Sequence, residues 1–238
     1  MSDPDRSLAA AVIVGAGRGT RFGAADKVMA PLAGRPLLAY SLDAAEQAEA
    51  VGAIVVVTAE HCVGAVADLI GSGSWSKIVA TVTGGDRRQD SVWAGLAAMP
   101  SGASHVAVHD AARPLVTSSL FDACIAAARR FGAAIAAAPV ADTLKRVVDG
   151  RVVATVSRRD LWAAQTPQAF RLELLMNAFA SAAATGLEVT DEASLLEAMG
   201  IEVAIVPSSR ANLKITHPED LAVAEAVMRA GTSGRRAS

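Results

Sequence analysis

Leu8-Ala9-Ala10-Ala11-Val12-Ile13-Val14, running straight into Gly15-Ala16-Gly17-Arg18-Gly19-Thr20-Arg21-Phe22-Gly23, decides the fold. An unbroken apolar run closed by glycine reads as a strand buried on both faces, the kind found in sheets covered by helices. The glycine-rich loop that follows offers bare backbone N–H groups, and Arg21 and Lys27 add two positive charges, which together suit a polyphosphate. Neither common phosphate signature fits, however. The third glycine of a dinucleotide fingerprint is replaced by Thr20, and no Gly-Lys-Ser or Gly-Lys-Thr opens a helix as in a P-loop, so a dehydrogenase and an ATPase are both disfavoured.

Outward from this strand, short Val/Ile/Ala runs alternate with amphipathic stretches. Strands are predicted at Leu8 to Val14, Ile54 to Thr58, Lys77 to Thr83, His105 to His109 and Ala133 to Ala138. Helices are predicted at Leu37 to Glu49, His61 to Ile70, Gln89 to Met99 and Ser118 to Phe131. The alternation implies an α/β fold with a doubly wound, mostly parallel sheet, whose ligands lie beyond the carboxyl ends of the strands. After Pro139 the pattern breaks. Two β-prone runs flank Asp149-Gly150, a hairpin signal, and the stretch 139–160 reads as a protruding arm. Its Val147, Val148, Val152 and Val153 lack a covering helix, which predicts a homodimer packed partly through this arm. The last third returns to α/β, with helices from Leu172 to Ala184 and Asp191 to Met199 and strands at Glu202 to Val206 and Leu213 to Ile215. Thr216-His217-Pro218-Glu219 reads as the capping box of a final helix, and 231–238 as a disordered tail of a single 238-residue domain.

Composition narrows the class of partner. A net charge of −2 without a basic block, and only 4% aromatic residues, give no reason to expect nucleic acid or a membrane. Cys62 and Cys124 lack ligand spacing and read as reduced core thiols, so a soluble, cytoplasmic protein is expected. Lysine is scarce: Lys27, Lys77, Lys145 and Lys214 are the only four.

Two further strand-to-helix turns carry chemistry. Gly84-Gly85-Asp86-Arg87-Arg88-Gln89-Asp90-Ser91 lets backbone approach a planar ligand and sets Ser91 in a first helical turn, either to bond base or ribose or simply as part of a helix cap. His109-Asp110-Ala111-Ala112-Arg113-Pro114 ends a strand where such sheets bind ligands; Asp110 there suits Mg²⁺ or a ribose, or else a loop ion pair with Arg113. His109, alone beside an apolar strand, reads as a core residue.

In this order, these segments resemble the 2-C-methyl-D-erythritol 4-phosphate cytidylyltransferases. Asp142-Thr143-Leu144-Lys145-Arg146, Leu161-Trp162 with Thr166-Pro167-Gln168, Thr190-Asp191-Glu192-Ala193-Ser194 and Asn212-Leu213-Lys214 extend the likeness from Val12 to Leu221. The loop departs from the family pattern in Val14-Gly15-Ala16-Gly17 and in the Asp26 and Val28 that flank Lys27. The resemblance implies CTP and methylerythritol phosphate as substrates and Mg²⁺ as cofactor, held at Asp110. It implies nucleotide contacts from Gly15, Ala16, Gly17, Gly19, Gly84, Gly85, Asp86, Ser91 and Ala111. Arg21 and Lys27 would stabilise the triphosphate, while Arg158 and Lys214 would hold the attacking phosphate. Asp110, Arg113, Thr143, Thr166 and Thr190 would serve the acceptor. A cytidylyltransferase for another polyol phosphate, such as ribitol 5-phosphate, and a non-catalytic nucleotide-binding protein stand as alternatives.

Overall fold

The computed structural model describes residues 8–17 and 27–234. Gly19 and Arg21, and the last residues of the expected tail at 235–238, lie outside the described residues. In chain order the first strands are β1 (Ala9–Gly15), the short pair β2 (Pro31–Leu32) and β3 (Arg35–Pro36), β4 (Val51–Thr58), β5 (Ile78–Thr83), β6 (His105–Asp110) and β7 (Ala133–Pro139). After them come β8 (Leu144–Val148), β9 (Arg151–Val156), β10 (Trp162–Arg171) and β11 (Ala204–Pro207). Seven of these form one sheet in the order β11-β7-β10-β6-β1-β4-β5. Every neighbouring pair in it is parallel except those made by β10, which runs antiparallel to both β6 and β7.

Alternation along the central strands assigns side chains to two cores. Ala9, Ala11 and Ile13 of β1 pack with α1 (Leu37–Gln47), α2 (Val63–Ser72) and α4 (Ser118–Phe131). Val12 and Val14 face α3 (Arg88–Ala97), α5 (Leu172–Thr185) and α6 (Glu192–Ala198) on the other side. Helix α4 shows how sequence fixes an element. Thr117 accepts a hydrogen bond from the Leu120 N–H at its start, Phe121, Cys124, Ile125 and Ala128 form its buried stripe, and Gly132 at φ +89° ends it. Burial pushes the Cys124 thiol up to about 12, so it is an inert core residue, as expected of it. Gly95 lets α3 lie close on the sheet, since a Cβ there would stand 2.4 Å from Val12 Cγ1.

The arm forms as expected. Strands β8 and β9 pair antiparallel about Asp149 and Gly150, whose φ values of +48° and +74° are those of a tight hairpin turn. Its four valines are all more than half exposed.

Three details differ from the sequence expectations. Leu213 to Ile215 is not a strand: a single backbone bond, from Ile215 N–H to the Ala112 carbonyl, holds it against the sheet end. The final helix, α7 (Asp220–Gly234), is not capped by Glu219. Asp220 itself accepts from the N–H groups of Thr216 and His217, because its carboxylate folds back over the preceding turn. Residues 231–234, expected to be tail, continue that helix.

Candidate active site

The site gathers at the carboxyl ends of β1, β5 and β6, at the edge where the loops after them converge. Gly84 is needed there for closeness: a Cβ would lie 2.3 Å from Ala16 Cβ and 2.6 Å from Ser91 Oγ. A hollow of about 120 Å³ results, lined by Gly15, Ala16, Gly17, Lys27, Gly85 and Asp86 with Arg88, Ser91, Asp110 and Lys214. A second hollow, of about 210 Å³, adjoins it and is lined by Arg113, Thr166, Gln168, Thr190 and Asp191. Arg88, Asp110 and Lys214 line both, so they form the shared wall.

That wall is an ionic chain. Lys214 Nζ donates to Asp110 Oδ2 at 2.6 Å, Arg88 Nε donates to Asp110 Oδ1 at 3.0 Å, and Arg88 Nη1 donates to Glu192 Oε1 at 2.6 Å. Burial, the largest single influence on Asp110, works to raise its carboxyl, but Arg88 and Lys214 outweigh it and hold the group well below the usual carboxylate range. Arg88 is partly buried, which works to lower its guanidinium; Asp110 and Glu192 more than offset that and keep it charged. Burial raises Glu192, against the pull of Arg88.

Lys214 reaches the wall because its neighbours are anchored. Ile215 is fully buried, and Asn212 Nδ2 donates to the Thr166 carbonyl and to Gln165 Oε1, while its own carbonyl accepts from Arg113 Nη1. Arg113 thereby braces the Lys214 segment rather than pairing with Asp110, and burial lowers its guanidinium from its ordinary value. On the other side Gln168 Nε2 donates to Asp191 Oδ2, and Gln168 Oε1 accepts from the Ala193 N–H. Asp191 in turn caps α6.

Hydrogen bonds beneath the wall hold His109 in place: the Asp110 N–H donates to Thr166 Oγ1, which also bonds His109 Nδ1, and His109 Nε2 faces Ser41 Oγ. Burial depresses the imidazole to about 3, which makes His109 a structural residue, in line with the sequence expectation. An unfolded chain binds a proton at this histidine below its ordinary value of 6.5, whereas the fold refuses it down to about 3. Stability is therefore complete above about 6.5 and declines in acid. Between pH 7 and pH 5 the loss from this group is expected to be about 2 kcal/mol, and urea unfolding of His109→Gln should show a correspondingly flatter pH dependence.

The predicted site residues thus divide. Gly15, Ala16, Gly17, Lys27, Gly85, Asp86, Ser91, Asp110, Arg113, Thr190 and Lys214 line the two hollows, with Gly84 and Ala111 packed directly behind them. Ser91 spends its hydroxyl proton on the Gly85 and Arg87 carbonyls, so it shapes the turn. Thr166 also lines the second hollow but is buried, its hydroxyl accepting from the Asp110 N–H and bonding His109 Nδ1. Thr143 and Arg158 are exposed on the arm, where Arg158 donates to the Ala141 carbonyl, and neither lines these hollows. Arg88 and Glu192 received no role from sequence, because their partnership spans 104 residues and leaves no local spacing. No helix among the described residues is long and apolar enough to cross a membrane.

Comparison with known proteins bears on the family of the chain. The 2-C-methyl-D-erythritol 4-phosphate cytidylyltransferase from Synechococcus elongatus is 44% identical over 220 residues, covering 92% of this chain and 95% of that one. The crystal structure of the enzyme so named from Thermus thermophilus superposes with a TM-score of 0.76 at 33% identity, covering 92% and 98% of the two chains. That of 4-diphosphocytidyl-2C-methyl-D-erythritol synthase from Anaerococcus prevotii gives 0.84 at 28% identity, covering 94% and 97%. Because the family model described as 2-C-methyl-D-erythritol 4-phosphate cytidylyltransferase matches residues 9–230, from the first buried strand to the last helix, the chain belongs to that family.

Proposed function

We propose that this chain transfers the cytidylyl group of CTP to the 4-phosphate of 2-C-methyl-D-erythritol 4-phosphate, releasing pyrophosphate. The observation that carries the reading is the wall shared by two adjoining hollows: one is bordered by the glycine loop and Lys27, the other by Arg113, Thr190 and Asp191. Triphosphate fits the first and the polyol phosphate the second, so attacking and attacked phosphorus groups meet at Lys214 and Asp110. An oxygen of the 4-phosphate attacks the α-phosphorus, the bond to the β-phosphate bridging oxygen breaks, and its electrons leave with pyrophosphate. Since a phosphate monoester has a second pKa near ~6, the nucleophile is already ionised and needs no base. His109 agrees with this, being neutral and fully buried. Catalysis then consists of alignment and charge neutralisation by Lys27, Arg21 and Lys214.

Among the described residues only hard oxygen donors, Asp86 and Asp110, face the nucleotide hollow as carboxylates, and no cluster of three ligating side chains exists. Such a set suits Mg²⁺, which keeps waters and takes most of its ligands from phosphate. Asp110 would hold it, and when bound it supplies charge neutralisation at the phosphoryl oxygens. The acceptor groups missing from the hollows, Thr143 and Arg158, come from the arm of a second copy of this chain, whose exposed valines provide the contact. A cytoplasmic setting accords with the free, buried cysteines.

Pyrophosphate release tests the reading, with CTP, ATP and GTP each offered against methylerythritol phosphate and ribitol 5-phosphate. Turnover is expected for CTP with methylerythritol phosphate and dependent on Mg²⁺. Preference for ribitol 5-phosphate, or tight CTP binding without any release, overturns it.

A further inference from the structure

Glu192 is the most deeply buried charge of the ionic chain, and one of its oxygens, Oε2, is without a hydrogen-bond partner among the described residues. Such a group is costly to keep. Its backbone cannot yield to relieve the cost, because Asp191 caps the helix on one side and Gln168 grips the Ala193 N–H on the other. Among the described residues its one ion pair is with Arg88, whose guanidinium is split between two carboxylates, Nε toward Asp110 and Nη1 toward Glu192. A guanidinium with a single carboxylate partner closes on it through two parallel bonds. Here the second carboxylate prevents that closure. Asp110 consequently keeps Oδ2 for Lys214, on the wall between the two hollows.

We infer that Glu192 is a positioning residue which holds Arg88 back from Asp110, and so sets how firmly Asp110 engages Lys214. It touches neither hollow itself. With Gln in its place the hydrogen bond to Arg88 survives but the opposing charge is gone. Arg88 then swings its full charge onto Asp110, and Lys214 loses part of its partner. The effect on turnover rests on the cytidylyl-transfer reading; the effect on Lys214 does not.

Two measurements separate these. The chain has only four lysines, so reductive ¹³C-methylation gives few resonances to assign. In Glu192→Gln the Lys214 resonance is expected to shift while those of Lys77 and Lys145 stay in place. In an Arg88→Met background the same Glu192→Gln change should move it no further, since the influence passes through Arg88; if Arg88→Met does not fold, the single variant decides. In the pyrophosphate assay Glu192→Gln is expected to lower kcat about tenfold with the KM for CTP almost unchanged. Its melting temperature should change little, because Arg88 keeps Asp110 as an ion-pair partner and no buried charge is stranded. An unmoved Lys214 resonance overturns the inference whatever the activity. If the resonance moves as expected but the wild-type chain releases no pyrophosphate, the coupling stands and the cytidylyl-transfer reading fails.

Discussion

Lys214→Ala is expected to lower kcat by about 10²- to 10³-fold, the loss that follows removal of one donor aimed at developing charge in a water-poor site. Its ammonium lies 2.6 Å from Asp110, on the wall that borders both hollows, and no other described lysine lines both. Folding should survive. Asp110 keeps Arg88 when Lys214 is lost, so no buried carboxylate is stranded, and Lys214 is itself partly exposed, which limits the change in stability to about 1 kcal/mol. The measurement is kcat from pyrophosphate release alongside urea unfolding of the same preparation. Normal turnover in Lys214→Ala would remove this lysine from the mechanism. Lys214→Arg should recover only part of the rate, because a planar fork replaces a point charge and closes on Asp110 instead of reaching outward.

The placement of Lys214 also shows where sequence reading succeeds and where it stops. The buried strands are legible because a strand covered on both faces has few polar positions, and β1, β4 and β7 contain almost none. The hairpin is legible because Asp149-Gly150 carries its own turn geometry. By contrast β10 escapes the reading: Gln165-Thr166-Pro167-Gln168 interrupts its apolar residues, and its register breaks between Ala164 and Gln168. Its polar middle is buried because it serves the site, through Thr166 on the Asp110 N–H and Gln168 on α6. Leu213 to Ile215 misleads in the opposite sense. Its apolar, basic, apolar alternation imitates a strand edge, while the two apolar residues only anchor a projecting lysine. What the sequence conceals most fully is the chain Lys214-Asp110-Arg88-Glu192, each link made across long separations that only the sheet order brings together.

Mixing two inactive variants, Arg158→Ala and Lys214→Ala, is expected to restore activity. Thr143 and Arg158 sit exposed on the arm and line neither hollow, whereas Lys214 lines both. Two β-strands alone are marginal in water, and this pair presents valines that are 53% to 63% exposed, which the proposed second copy would cover. If each site takes Lys214 from one chain and Arg158 from the other, a mixed dimer holds one intact site and one doubly damaged one. Equal mixing with full exchange then yields about a quarter of the wild-type rate, the statistical share of intact sites in a two-fold assembly. Replacing Val147, Val148, Val152 and Val153 together with serine should give a monomer by light scattering and abolish turnover. Its circular dichroism should persist, because the arm contributes nothing to the two cores that flank the sheet. A mixture that stays inactive, although subunit exchange is demonstrated, would place Arg158 and Lys214 in the same subunit's site. The arm would then act by folding back on its own chain.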